Sequence, residues 1–160
     1  MPVISVSNDR AGRGAAAFSI SGRVEQTINV SLENLLGMEM IEFKDLLLAC
    51  GSGVPKGHIN SCRGVPLTDV INLAKVRIVD HDDTKRMYVV ASANDGYTTV
   101  FSWQELFNTS VGEGVIVLLE KDGRRVYEEN GSVDLFSARD ILTGPRYVKK
   151  FSSLRILMVE

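Results

Sequence analysis

The sequence predicts a β-rich α+β domain built on a mixed sheet. Three observations lead there. Strand-like segments outnumber helical ones, the two kinds do not alternate as they do in a doubly wound sheet, and 160 residues at 44% hydrophobic content suffice for one sizeable core. Charged residues make up 24% of the chain, which excludes wholesale disorder. The net charge of -2 argues against a general nucleic-acid binder while leaving room for a local basic pocket. No apolar run reaches the roughly 18 residues of a membrane span, so no membrane insertion is expected.

Residues 1–17 are small and polar with Arg10 and Arg13, and read as a flexible N-terminal arm, leaving 18–160 as the domain. FSISGRV alternates through Phe18 and Ile20 as a strand does, and Ile28 and Val30 begin a second. Ser31 then suits a helix N-cap, with Leu32, Leu35 and Leu36 as the apolar face and Gly37 as the stop. MEMIEFKDLLLAC is a buried strand or a short helix, and periodicity does not separate the two. GSGVPKGHINSCRG carries four glycines and a proline in fourteen residues and reads as a loop. VPLTDVINLAKV shows the clearest helical spacing, through Leu67, Val70, Ile71 and Ala74, with a start at or beside Thr68. MYVVASA and YTTVFS flank the NDG turn of a hairpin. Ser102 and Glu105 stand at capping-box spacing before a short helix. GVIVLLEKDGRRVY is a second hairpin around Asp122-Gly123. Residues 128–146 read mostly as loop with one possible helical turn, and Leu154–Val159 as a closing strand.

Chemistry concentrates around Cys50. A thiol at the end of an apolar run and before Gly51-Ser52-Gly53 can be presented to a bound group, because glycines let backbone N–H groups approach an anion. Thiolate is a soft metal ligand. The plainer reading is a small buried hydrophobe. Cys62 lies twelve residues on, a spacing that is no zinc signature. A disulfide between the two is sterically open from the spacing, but without an export signal free thiols are expected. GSGVPKG does not match a nucleotide-binding glycine loop. Lys56, His58 and Arg63 form either a cationic patch or ordinary solvated charges. Arg146, Lys149, Lys150 and Arg155 reverse the sign of the chain locally, as a phosphate clamp or as lysines guarding a strand edge. Tyr97, Trp103 and Tyr147 are aromatic candidates for a pocket wall. His81 in DHDD reads as a surface residue.

Together FSISGRVEQTINVSLENL, LLLACGSG, RGVPLTDVINLAKV, YVVASANDGYTTVFSWQEL, GVIVLLEKDGRRV and GPRYVKKFSSLRILMV resemble, in order, the molybdopterin-binding domain of the sulfite oxidase type. The resemblance spans about residues 18–159. It implies that Cys50 ligates molybdenum and is the catalytic residue. It further implies that Arg146 and Lys149 approach the pterin or its phosphate, and that Gly51, Gly53, Lys56, His58 and Arg63 border the cofactor. An oxidoreductase of this kind transfers an oxygen atom to or from a small-molecule substrate, an anionic one suiting the cationic wall. It needs an external electron-transfer partner. The chain departs from the family in Gly51-Ser52-Gly53-Val54, where larger members have an A-G-N-R-like stretch, and in Lys150 and Phe151, where a tryptophan is usual. A cofactor-free relative that binds an anion or a protein is therefore the alternative, and a redox-sensing thiol protein using Cys50 and Cys62 a third reading. The expected location is cytoplasmic, or periplasmic if the chain was trimmed.

Overall fold

A computed structural model describes residues 16–160. The arm expected over 1–17 falls outside them except for Ala16 and Ala17, which open the first strand. Two five-stranded sheets carry the architecture, so the expected β-rich α+β class is what the chain adopts.

The first sheet has the order β2-β1-β10-β5-β6, formed by β1 (Ala16–Gly22), β2 (Ile28–Ser31), β5 (Met87–Ala93), β6 (Thr98–Ser102) and β10 (Phe151–Met158). Its one parallel pair joins β1 to β10, and the other pairs are antiparallel. The second sheet is antiparallel throughout. It runs β3 (Ile41–Ala49), β4 (Pro55–Pro66) and β7 (Val115–Lys121), and β7 also pairs with both β8 (Arg124–Arg125) and β9 (Asp134–Ser137).

β7 shows why the sheets stack. Side chains alternate across a strand. Val115, Val117 and Leu119 enter the main core with Phe18, Ile20, Val89 and Leu154 of the first sheet. Ile116 and Leu118 point the other way, into a smaller core with Ile59, Cys62, Phe136 and Tyr147. All five are fully buried, which explains the unbroken apolar run. Phe18 and Phe151 meet at 4.5 Å between ring centroids and tie the parallel pair together inside the main core.

The helices are little more than single turns, and serine caps start two of them. Ser31 caps α1 (Leu32–Leu36) reciprocally with Asn34, and Ser102 caps α3 (Trp103–Asn108) reciprocally with Glu105. The helix expected across VPLTDVINLAKV is only α2 (Leu67–Ile71), continued by two tight turns; it starts at Leu67, beside Thr68 as expected, with Pro66 at the N-cap. Leu67, Val70, Ile71 and Ala74 are nonetheless all buried, as their spacing predicts. The return strand of the second hairpin stops after two residues, where α4 (Val126–Asn130) begins. No helix among the described residues is long and apolar enough to cross a membrane.

Two expectations are corrected. GSGVPKGHINSCRG is mostly β4, a twelve-residue strand, and only its first four residues turn. Its glycines have a different role from the one read. A Cβ on Gly64 would lie 2.2 Å from the Val117 carbonyl oxygen, so this glycine serves close strand contact, and Pro55 sits at a strand start, where a missing N–H is tolerated. DLFS, read as loop or helical turn, is β9. All four of its residues are buried, so no alternation shows.

Candidate functional site

Cys50 follows the last residue of β3, at the tip of the β3–β4 hairpin. The turn closes through Gly53 N–H to the Cys50 carbonyl (2.9 Å) and Cys50 N–H to the Val54 carbonyl (3.1 Å). Gly53 takes φ +86°, which suits glycine. Gly51 and Gly53 thus shape a hairpin turn.

A single strap fixes this tip. The Thr143 hydroxyl donates to the Leu47 carbonyl (2.9 Å) and accepts from the Ala49 N–H (3.1 Å), while Gly144 N–H donates to the Ala49 carbonyl (2.6 Å). Residues 143–144 therefore bind the edge of β3 just before the cysteine. A Cβ on Gly144 would stand 2.6 Å from the Ala49 oxygen and 3.1 Å from the Cys50 Cα, so the strap reaches this close only with glycine. On the other side, the Tyr97 hydroxyl donates to the Pro145 carbonyl (2.5 Å), and the Asp95 carboxylate accepts from Tyr97 N–H (2.9 Å).

These contacts border an open cavity of about 600 Å³ that draws on both sheets. Leu48, Cys50 and Gly51 come from β3 and its turn, Lys56 from β4, Asp95 and Tyr97 from the β5–β6 turn, and Gly144, Pro145, Tyr147 and Lys149 from the segment before β10. Cys50 is half-buried, with Sγ 2.8 Å from Ser52 Oγ. The Ser52 hydroxyl, then the Ser52 backbone N–H, and more distantly the charge of Lys56 hold the Cys50 pKa below the ordinary thiol range. Neither Lys56 nor Lys149 has a carboxylate partner among the described residues, so both leave positive charge facing the cavity.

The remaining residues singled out from the sequence lie elsewhere. Gly53 is in the turn but off the cavity wall. His58 points its Nδ1 at Asn60 Oδ1 (3.1 Å) on an exposed stretch of β4, and Arg63 pairs with Glu120 (3.2 Å) farther along it. Arg146 does not line the cavity. Its guanidinium grips Asp140 through two bonds (2.8 and 2.6 Å) and Glu105 through a third (2.8 Å), and lies 4.3 Å from the Phe101 ring centroid. These two carboxylates hold its charge firmly in place and push its pKa up. Trp103 stacks on Phe107 in the core at 4.2 Å, whereas Tyr97 and Tyr147 do reach the cavity. His81 is a surface residue, its side chain 91% exposed.

Cys62 is buried and free, and burial pushes its pKa up to about 11. It faces Phe43 in the β3–β4 register, seven residues back from Cys50 along β3, a separation of about 23 Å at strand rise. That distance excludes the disulfide left open by sequence spacing. Sequence reading missed Thr143, Gly144, Pro145 and Asp95. The one available signal was the turn-forming pair Gly144-Pro145, inside the stretch read mostly as loop.

The fold and site define a class: a two-sheet, β-rich α+β domain presenting a thiol on a cavity wall between a hairpin tip and the segment entering the last strand. No family profile and no curated protein matches the sequence. Among solved structures, the crystal structure of the sulfane dehydrogenase SoxCD from Paracoccus pantotrophus shares this fold, with a TM-score of 0.65 and 16% identity. The match covers 91% of this chain and 39% of that one, so this chain spans about two fifths of its neighbour's length. At that identity the likeness is one of fold.

Iodoacetamide at neutral pH labels one thiol in the native chain, Cys50, and two in denaturant. Ser52→Ala moves the pH profile of native labelling upward and slows it at pH 7 by roughly threefold, because the thiolate loses its donor; mass spectrometry of quenched samples reads both. Arg146→Ala leaves Asp140 half-buried without its counter-ion, held only by the Ser137 hydroxyl, and lowers stability by about 2–4 kcal/mol, with Arg146→Lys recovering less than half, as seen by urea unfolding.

Proposed function

We propose that the chain is a molybdopterin-binding redox domain in which Cys50 is the protein's ligand to the metal. The observation that carries this reading is the half-buried thiol of lowered pKa on the wall of a 600 Å³ cavity that also holds two unpaired lysines. The fold shared with a protein named as a dehydrogenase supports it, as does the ordered resemblance of the sequence to the sulfite oxidase type.

The residues present fit the group. A soft, readily ionised thiolate suits molybdenum, and a cavity of this size admits a pterin carrying a phosphate. Lys56 and Lys149 supply the positive charge such an anion requires, and Gly51 and Gly144 keep side chains out of the wall. When bound, the cofactor supplies two-electron redox chemistry and oxygen-atom transfer to or from a small substrate. Cys50 binds, and the Ser52 hydroxyl beside its sulfur favours the thiolate form that binding needs. Thr143 and Gly144 act as positioning residues, holding the end of β3 so that the sulfur faces the lysines. Arg146 orients the segment carrying Tyr147 and Lys149 through Asp140 and Glu105. An anionic substrate matches the charge of the same wall, and turnover requires an electron partner from outside the domain.

A second reading keeps the cavity and omits the metal. It is favoured by Arg146, whose charge is spent on two carboxylates instead of facing the cavity, which leaves fewer cations for an anionic cofactor. The chain is then an anion-binding module.

One experiment separates the two. Protein purified from a molybdenum-replete host is assayed by inductively coupled plasma mass spectrometry and for pterin fluorescence after oxidation. The first reading expects molybdenum and pterin near stoichiometric with the chain, both lost in Cys50→Ser with the fold retained. Metal and pterin at background in the unaltered protein contradict it and leave the second.

A further inference from the structure

A second cavity, of about 360 Å³, shares Tyr147 and Lys149 with the first and opens between the β7–β8 turn, α4 and the turn before β10. Four cations line it, Lys121, Arg124, Lys149 and Lys150, with three acids, Asp122, Glu129 and Asp134. The acids are committed to the protein. Asp122 Oδ1 accepts from the backbone N–H groups of Asn60 (2.7 Å) and Ser61 (3.2 Å), and Glu129 lies 3.8 Å from Arg124. Asp134, fully buried, accepts from the Tyr147 hydroxyl (3.1 Å) and from Lys150 N–H (3.0 Å). Lys121, Lys149 and Lys150 have no carboxylate within ion-pair distance among the described residues.

The backbone fixes where these lysines leave the chain. Lys121 ends β7 at a two-residue turn in which Asp122 and Gly123 take φ +52° and +76°. Lys150 takes φ +55°, an uncommon conformation for a residue with a side chain, and the buried Asp134 carboxylate pins its N–H there. The ammoniums of Lys121 and Lys149 lie 5.8 and 5.5 Å from the centroid of the same Tyr147 ring. Three point charges around one small polar cavity, with the Asn130 amide on its wall, suit a compact anion with several acceptor oxygens.

We propose that this second cavity binds a tetrahedral oxyanion, free phosphate or the phosphoryl end of a small molecule, through Lys121, Lys149 and Lys150. The proposal does not depend on molybdopterin in the first cavity. Lys149 borders both cavities and is left unaltered in the test.

The full chain is titrated with inorganic phosphate, and separately with glycerol 3-phosphate, at constant ionic strength, following the amide resonances of Asn130 and Lys150. Saturable shifts are expected with at least one of the two probes, and the tighter binder identifies the source of the oxyanion. Lys121→Gln and Lys150→Gln each weaken binding by roughly three- to tenfold. Lys56→Gln, in the first cavity, leaves it unchanged. Absence of saturable shifts with either probe overturns the proposal. So does a loss in Lys56→Gln that matches the loss in Lys121→Gln, because it moves the anion to the first cavity. Circular dichroism of each variant confirms that a lost signal is not a lost fold.

Discussion

The candidate site exists because one strap crosses the edge of one strand. Cys50 sits at the tip of a hairpin whose outer residues, Gly51 to His58, are all exposed, so the hairpin alone gives the sulfur only the Ser52 hydroxyl as a neighbour. The Thr143 hydroxyl and Gly144 N–H bind the last backbone groups of β3, and the chain then runs directly into Pro145, Tyr147 and Lys149. An open strand edge with unmet hydrogen-bonding groups is a liability. Here its last stretch is met by a side chain and a glycine from about 95 residues later, and the cavity is formed by that closure.

Charge is divided with the same economy. Arg146 is surrounded by Asp140 and Glu105 and rests on Phe101, which makes it an internal brace between α3 and the segment before β10. Glu105 is also the reciprocal partner of the Ser102 cap, so one carboxylate anchors both a helix start and the brace. The lysines that follow carry no such partners. The basic cluster is therefore two things: a guanidinium that fixes the backbone and ammoniums that remain available to ligands. Bidentate geometry suits arginine to the first task and a flexible point charge suits lysine to the second.

Much of this was legible from the residues alone. Both serine caps, the Asp122-Gly123 turn and the burial of Leu67, Val70, Ile71 and Ala74 follow from local rules that tertiary contacts did not override. β4 was not legible, because glycine and proline carry a turn signal by default. The need for Gly64 arises from the Val117 carbonyl on a strand fifty-three residues away. β9 was hidden because burial on both faces removes alternation. At the site, Cys50, Gly51, Lys56 and Lys149 were found from residue chemistry and do come together. His58 and Arg63 were grouped with them because a loop had been expected, whereas along an extended strand each residue advances about 3.3 Å and the group separates. Thr143 carried no signal, since a single threonine hydroxyl becomes informative only when the strand edge it meets is known.

The most direct test of the strap is nuclear magnetic resonance detection of the through-hydrogen-bond coupling between the Gly144 amide nitrogen and the Ala49 carbonyl carbon. The account predicts a resolved correlation between these two groups, together with slow exchange of the Gly144 amide. A missing correlation with a rapidly exchanging Gly144 amide in the folded protein would contradict it, because Cys50 and Lys149 would then have no fixed relation to each other.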